Sequence, residues 1–177
     1  MPDHARLEQY LWENRERFYR IAYSYARNEP DALDIVSEAV VKALERRGRL
    51  QDDGAMATWC YRILVNTAVD HLRKHRRIVF MEDAQDAERG RPDRYGDPDL
   101  LEALGRLPED QRMVVVLHFI EEMTIRETAA VLGQNENTVK SRLYRALEVL
   151  RADLAGQSDR SGRSSRSVTP QGGTVRG

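Results

Sequence analysis

Apolar residues recur along this chain at helical spacing, and the alternation expected of strands is scarce. Leu7, Leu11, Phe18, Ile21 and Tyr25 fall on one side of a helical period, which predicts a first long helix from about Ala5 to Arg27. Asn28-Glu29-Pro30 interrupts it, and Pro30 suits the first turn of a second helix that runs to about Arg47. Ala32, Val36, Ala39, Val40, Ala43 and Leu44 make that helix's buried stripe. Asp34, Glu38, Val41, Lys42 and Glu45 make its other face, with Ile35 near the border. Gly48 to Ala57 reads as a loop, with Asp52-Asp53-Gly54 as its turn signal. A third helix is expected from about Met56 to Arg77, with Trp59, Ile63, Val69 and Leu72 inward.

From Val79 to Asp97 the apolar period disappears and acidic residues, arginines, glycines and a proline take over, as in a flexible linker. Asp97 and Pro98 start a new helix with Leu100, Leu101 and Leu104 inward. Leu107-Pro108 ends it and begins another, Glu109 to Met123, rich in valine. Ala155 to Gly177 is Ser/Gly/Arg-rich, cannot offset its ordering entropy and is expected to be disordered.

Between these lies the stretch with the most explicit punctuation, Thr124 to Arg151. Thr124 and Glu127 have the spacing of a capping box. Ala129, Val131 and Leu132 supply an apolar side, and Gly133 can take the left-handed conformation that stops a helix. Asn135 is suited to cap a second helix, on which Val139, Leu143, Ala146, Leu147 and Leu150 form one stripe. Glu136, Lys140, Ser141, Tyr144 and Arg145 fall on the other side. Helix–tight turn–helix with polar residues on the exposed side of the second helix is the pattern of a DNA-binding helix-turn-helix. A helical hairpin with a solvated charged face has the same pattern.

The chain has 177 residues, 32% of them charged and 7% aromatic, which fits a soluble all-helical protein of one or two small domains. Its formal net charge is −1, so affinity for nucleic acid has to come from local basic patches. One such patch is Arg73, Lys74, Arg76 and Arg77 at the end of the third helix, more cations than the helix dipole needs. Cys60 is the single cysteine, which excludes an internal disulfide. No apolar run reaches the roughly 20 residues of a membrane span, and the first residues lack a signal peptide's apolar stretch. A cytoplasmic protein without membrane insertion is expected.

His71 and His75 stand four apart, a metal-ligand spacing. Their sequence neighbours are cations, and no carboxylate or thiol accompanies them at a matching spacing, so no metal is expected. His118 lies in an apolar run and reads as a packed or half-exposed histidine. No catalytic constellation and no Gly-rich phosphate loop stands out, so neither an enzyme nor a cofactor is expected.

Taken together these segments resemble the sigma-70 family of RNA polymerase factors, in its extracytoplasmic-function (ECF) group. Ala32 to Leu44, ALDIVSEAVVKAL, is similar to the family's core-polymerase-binding segment, and Thr58 to Lys74, TWCYRILVNTAVDHLRK, to its promoter −10 segment. LPEDQRMVVVLHF and TIRETAAVLGQNENTVKSRLYRALEVLR resemble its −35 domain. Ser37 stands where the family usually has Gln, the Gly48 to Ala57 loop lacks the aromatic often found there, and Gln134-Asn135-Glu136-Asn137 replaces the commoner Ile-Ser-Glu-Gly.

The resemblance implies an all-α fold of two small helical domains joined by a flexible acidic linker, the C-terminal one a four-helix, winged-helix-like helix-turn-helix unit. The domains would be 1–77, a linker 78–97, and 98–154, with a tail 155–177. It implies that Asp34, Ile35, Glu38, Val41 and Lys42 meet the polymerase clamp helices. Asn66, Asp70, Arg73, Arg76 and Arg77 would act at the −10 element. Thr138, Lys140, Ser141, Tyr144 and Arg145 would read the −35 element. The implied partners are core RNA polymerase (clamp helices and flap), promoter DNA and an anti-sigma factor. A stand-alone helix-turn-helix regulator, or a helical interaction protein without a nucleic-acid role, remains as an alternative.

Overall fold

The computed structural model describes residues 4–50, 52–79 and 98–164. The expected linker falls outside them apart from Ile78 and Val79, the last residues of a helix, and so does the tail beyond Ser164. Eight α-helices make up the described chain, in two groups of four. The first group is α1 (His4–Glu13), α2 (Arg15–Ala26), α3 (Glu29–Glu45) and α4 (Met56–Val79). The second is α5 (Pro98–Arg106), α6 (Glu109–Val115), α7 (Ile125–Leu132) and α8 (Glu136–Ser164).

The single first helix expected from the apolar period is two. It bends at Asn14, whose Nδ2 donates to the Tyr10 carbonyl at 2.9 Å and competes with the regular ladder. The apolar stripe survives the bend, and Leu7, Leu11, Phe18, Ile21 and Tyr25 are all buried. α2 ends on Arg27 in the left-handed conformation (φ 60°). The guanidinium of Arg27 lies over Gly105 of α5, where a Cβ would come within 2.2 Å of its Cζ. Asn28 then caps α3, its Oδ1 accepting from the Asp31 N–H at 2.9 Å, with Pro30 in the first turn as expected.

α3 buries Ala32, Ile35, Ala39 and Ala43, while Val36 and Val40 are half-buried. The buried stripe is therefore centred on Ile35, which is fully enclosed, and not beside it. α4 is the central helix of this half. It buries Cys60, Tyr61, Ile63, Leu64, Val65 and Ala68, with Trp59, Val69 and Leu72 only half-buried. The Tyr61 ring meets Phe18 edge-on at 5.3 Å. The loop before α4 holds two short 3-10 turns and is anchored by buried Leu50.

In the second group Leu104 and Leu107 are buried, while Leu100 is 42% exposed and faces outward, against expectation. α6 passes into a π turn over Val116–Ile120, where the Glu121 N–H reaches the Val116 carbonyl five residues back. The extra residue per turn rotates the chain and turns Glu121 inward. α8 takes in the first ten residues of the expected tail, Ala155 to Ser164, as helix where disorder was expected.

The two groups share one hydrophobic core, which the sequence did not suggest. It runs from Leu7 through Ala68 and on to Leu104, Met113, Leu117, Val131 and Ala146. α7 packs on α4 and α6 on α2. Arg17 and Arg20 of α2 hold the carboxylate of Glu121, whose side chain is fully enclosed, at 3.0 and 3.2 Å. Arg112 donates to the Ser24 carbonyl at 3.1 Å, and the Arg62 guanidinium to that of Ala130.

Candidate nucleic-acid interface

The turn between α7 and α8 follows the local sequence. The Thr124 hydroxyl accepts from the Glu127 N–H at 3.2 Å, and the Glu127 carboxylate accepts from the Thr124 N–H at 2.8 Å, a complete capping box. Gly133 takes φ 64°, and the Gln134 N–H returns to the Ala129 carbonyl at 2.9 Å. Asn135 caps α8 by accepting from the Thr138 N–H at 2.8 Å. Val114 of α6, Ala129 of α7 and Val139 of α8 form a small core between the hairpin and α6.

This packing fixes which side of α8 is presented. Val139 and Ala146 are fully buried, so Lys140, Ser141, Tyr144 and Arg145 are exposed together, Tyr144 by 70%. Thr138 is half-buried, at the cap. Ser141 and Arg145 line a shallow 510 Å³ depression with Asn135 and Asn137 at the start of the helix. Arg142 lines the same depression and pairs there with Asp110 of α6 at 3.1 Å, so it ties α8 to α6. A helix N-terminus with exposed hydroxyl, amide and guanidinium groups offers donors to phosphates and base edges alike.

A second polar concavity, of 260 Å³, opens on α4. Asn66 and Asp70 line it together with Lys42 from α3. Arg46, Arg49, Trp59 and Arg62 line it too. None of these four was expected in a binding role, and Trp59 was expected to pack inward. Arg46-Arg47-Gly48-Arg49 is a visible basic run in the sequence, but Trp59 and Arg62 reach the groove only because α3 and α4 pack side by side. Cations around an aromatic ring suit a single nucleic-acid strand. Arg73 is exposed further along α4, and Arg76 and Arg77 belong to the same helix, their side chains outside the described residues. The Cys60 thiol lies buried behind this face, where desolvation pushes its pKa up to about 12, so it is no nucleophile.

The candidate polymerase face on α3 is only partly as expected. Asp34 and Val41 are exposed, Val41 by 53%, and Glu38 is half-exposed. Ile35 is in the core and cannot touch a partner, which corrects its assignment. Lys42 turns toward α4, pairs with Glu38 at 2.7 Å and donates to Thr67 Oγ1 at 3.3 Å. Hydrogen bonding to Lys42 holds the Glu38 carboxyl below its usual range.

Two family models match this chain. Residues 12–78 match the family model for sigma-70 region 2, and residues 98–150 match that for sigma-70 region 4. The RNA polymerase sigma factor SigV of Bacillus subtilis (strain 168) is 42% identical over 146 residues, spanning 81% of this chain and 88% of its own. The chain belongs to the sigma-70 family, in its ECF group. The ECF RNA polymerase sigma factor SigM of Mycobacterium tuberculosis is 31% identical over 150 residues, covering 81% of this chain and 74% of its own. Among solved structures, the sigma factor RpoE from Bartonella quintana, in complex with the anti-sigma factor NepR, is 27% identical with a TM-score of 0.73. That likeness covers 84% of this sigma factor and 96% of RpoE.

Region 2 of this sigma factor thus takes in α2 to α4 and the 260 Å³ groove, and region 4 takes in α5 to the middle of α8, with its helix-turn-helix. Sigma factors are transcription-initiation factors, and the stand-alone regulator is not favoured, since it leaves the region 2 match without a purpose. Among the described residues no helix is long and apolar enough to cross a membrane.

Proposed function

We propose that this sigma factor docks on core RNA polymerase through the outer face of α3, binds promoter −10 DNA with α4, and reads the −35 element with α8. The observation that carries the −35 assignment is the common exposure of Lys140, Ser141, Tyr144 and Arg145 opposite fully buried Val139 and Ala146. Thr138 adds a contact at the cap. The groove on α4 supports the −10 assignment of Asn66 and Asp70, with Arg73, Arg76 and Arg77 beyond it along the helix. On α3, Asp34, Glu38 and Val41 carry the polymerase contact, and Leu33, 49% exposed, joins them in place of Ile35. Lys42 serves the groove as much as the polymerase face. The protein works in the cytoplasm, is not an enzyme, engages the polymerase clamp helices and flap, and is held in check by an anti-sigma factor.

Run-off transcription with reconstituted polymerase separates the two DNA assignments. Arg145→Ala should lower transcription from a linear duplex promoter with a strong −35 sequence, by about 1–3 kcal/mol if the side chain contacts a base. Arg73→Ala should impair opening more than initial binding, so a template with a preformed bubble at −10 should rescue it and leave the Arg145→Ala defect in place. Equal rescue of both variants refutes this division of labour.

A further inference from the structure

α3 and α4 together build a side-chain cluster that neither helix has alone. His71 and His75, one turn apart on α4, both face Asp31 in the first turn of α3. Their Nε2 atoms lie 3.2 and 3.7 Å from the same oxygen, Asp31 Oδ1. The three donor atoms lie within 4.8 Å of one another. Ligands about 2.0–2.2 Å from a tetrahedral ion stand roughly 3.3–3.5 Å apart, so the two observed spacings already fit, and half-exposed His75 has room to close the third.

Neighbouring groups aim the donors. Asp31 Oδ2 accepts from Asn28 Nδ2 at 2.8 Å, which leaves Oδ1 for the imidazoles. His75 Nδ1 lies 3.3 Å from the His71 carbonyl oxygen. A proton donated there places the lone pair on Nε2, facing Asp31, the arrangement metal-binding histidines usually have. His71 Nε2 is buried, with Asp31 Oδ1 3.2 Å away. An ion bound between this nitrogen and Asp31 Oδ1 would take a lone pair from each. The sequence argued against a metal because cations neighbour the histidines and no carboxylate accompanies them at a matching spacing. The fold supplies the carboxylate from α3. At 100° per residue Arg73 points away from the His71/His75 side of α4, and Lys74 and His71 both lie near a second carboxylate, Glu38.

We propose that Asp31, His71 and His75 bind one divalent transition-metal ion of zinc's class, with water in the fourth position. The ion would pin the first turn of α3 to the end of α4, just before Arg76 and Arg77. The site stands whether or not α3 and α4 act as proposed on polymerase and DNA.

Titration calorimetry of the full chain, stripped of metal with a chelator, should show one Zn2+ per chain. His75→Gln, at a position 47% exposed where folding is not at risk, should weaken binding at least tenfold, as should Asp31→Asn and His71→Gln. Zinc should raise the melting temperature of the wild type more than that of His75→Gln. Co2+ in place of zinc should give the absorption of a four-coordinate site with nitrogen and oxygen ligands. No stoichiometric zinc, or His75→Gln and Asp31→Asn binding like the wild type, would overturn the site. A thiolate-to-cobalt charge-transfer band would also overturn it, because it would place the ion on Cys60.

Discussion

Replacing Ile35 by alanine and reversing the charge of Asp34 probe adjacent positions of α3 for opposite consequences. Ile35 is fully enclosed between the small residues Ala32, Ala39 and Ala43, with α2 and α4 packed over it. Ile35→Ala opens a cavity there and should cost about 2–5 kcal/mol in urea unfolding. Asp34 is exposed, so Asp34→Arg should stay within about 0.5 kcal/mol of the wild type in the same assay. A pull-down with core polymerase should show the reverse order: Asp34→Arg retains less polymerase than the wild type, and the folded fraction of Ile35→Ala binds normally. Retention of polymerase by Asp34→Arg at wild-type level would remove Asp34 from the docking face. A helical period gives the direction of a stripe to within about one residue. That margin was enough to misplace Ile35, because Val36 and Val40 are as apolar and only burial by neighbouring helices ranks them.

At the scale of elements, what was legible was what is local. Thr124, Glu127, Gly133 and Asn135 each do what their spacing announced, because a cap is formed by residues three or four apart in the chain. The bend at Asn14 and the π turn at Val116–Ile120 were not legible. The bend leaves the apolar stripe intact, so the period does not reveal it, and the π turn turns Glu121 toward partners distant in the chain, Arg17 and Arg20. The capping box has a pH signature. Bonds from the Thr124 N–H and hydroxyl hold the Glu127 carboxyl below its usual range. A carboxylate depressed in the folded state contributes stability above its unfolded pKa, about 4.3, and loses it as pH falls through the folded value. Glu127→Gln should therefore cost about 0.3–1 kcal/mol at neutral pH, and that difference should shrink toward zero below about pH 4. Thr124→Ala removes the hydroxyl as well and should cost about 1 kcal/mol. Chemical denaturation of the two variants at pH 7 and pH 3.5 measures both, and a gap for Glu127→Gln that is constant with pH would mean its charge plays no part in the box.

At the scale of the whole molecule, the shared core sets a geometric conflict. α7 packs directly on α4, and α8 on α7. Packed helices stand about 8–10 Å apart, so the candidate −35 helix is on the order of 20 Å from the candidate −10 helix. Promoter elements centred at −10 and −35 are about 25 base pairs apart, on the order of 85 Å at 3.4 Å each. On the proposed reading, regions 2 and 4 have to part before both can read DNA. The contacts that would break are specific: Arg17 and Arg20 on Glu121, Arg112 on Ser24, and Arg62 on Ala130. Glu121 is the central one, since its carboxylate is fully enclosed while Arg17 and Arg20 keep 44% and 32% of their surface. Glu121→Gln removes the charge with little change of volume and leaves two arginines that solvent still reaches. It should lower stability by about 1.5–3 kcal/mol, the range for hydrogen bonds to charged groups. It should also enlarge the radius of gyration in small-angle scattering. A protein whose binding-competent state is sparsely populated has its apparent affinity reduced by that fraction, so loosening the closed state should strengthen promoter binding by the holoenzyme. Stability and promoter affinity would then move in opposite directions in one variant. If promoter binding by Glu121→Gln weakens along with its stability, the packed arrangement does not compete with DNA, and the shared core serves folding alone.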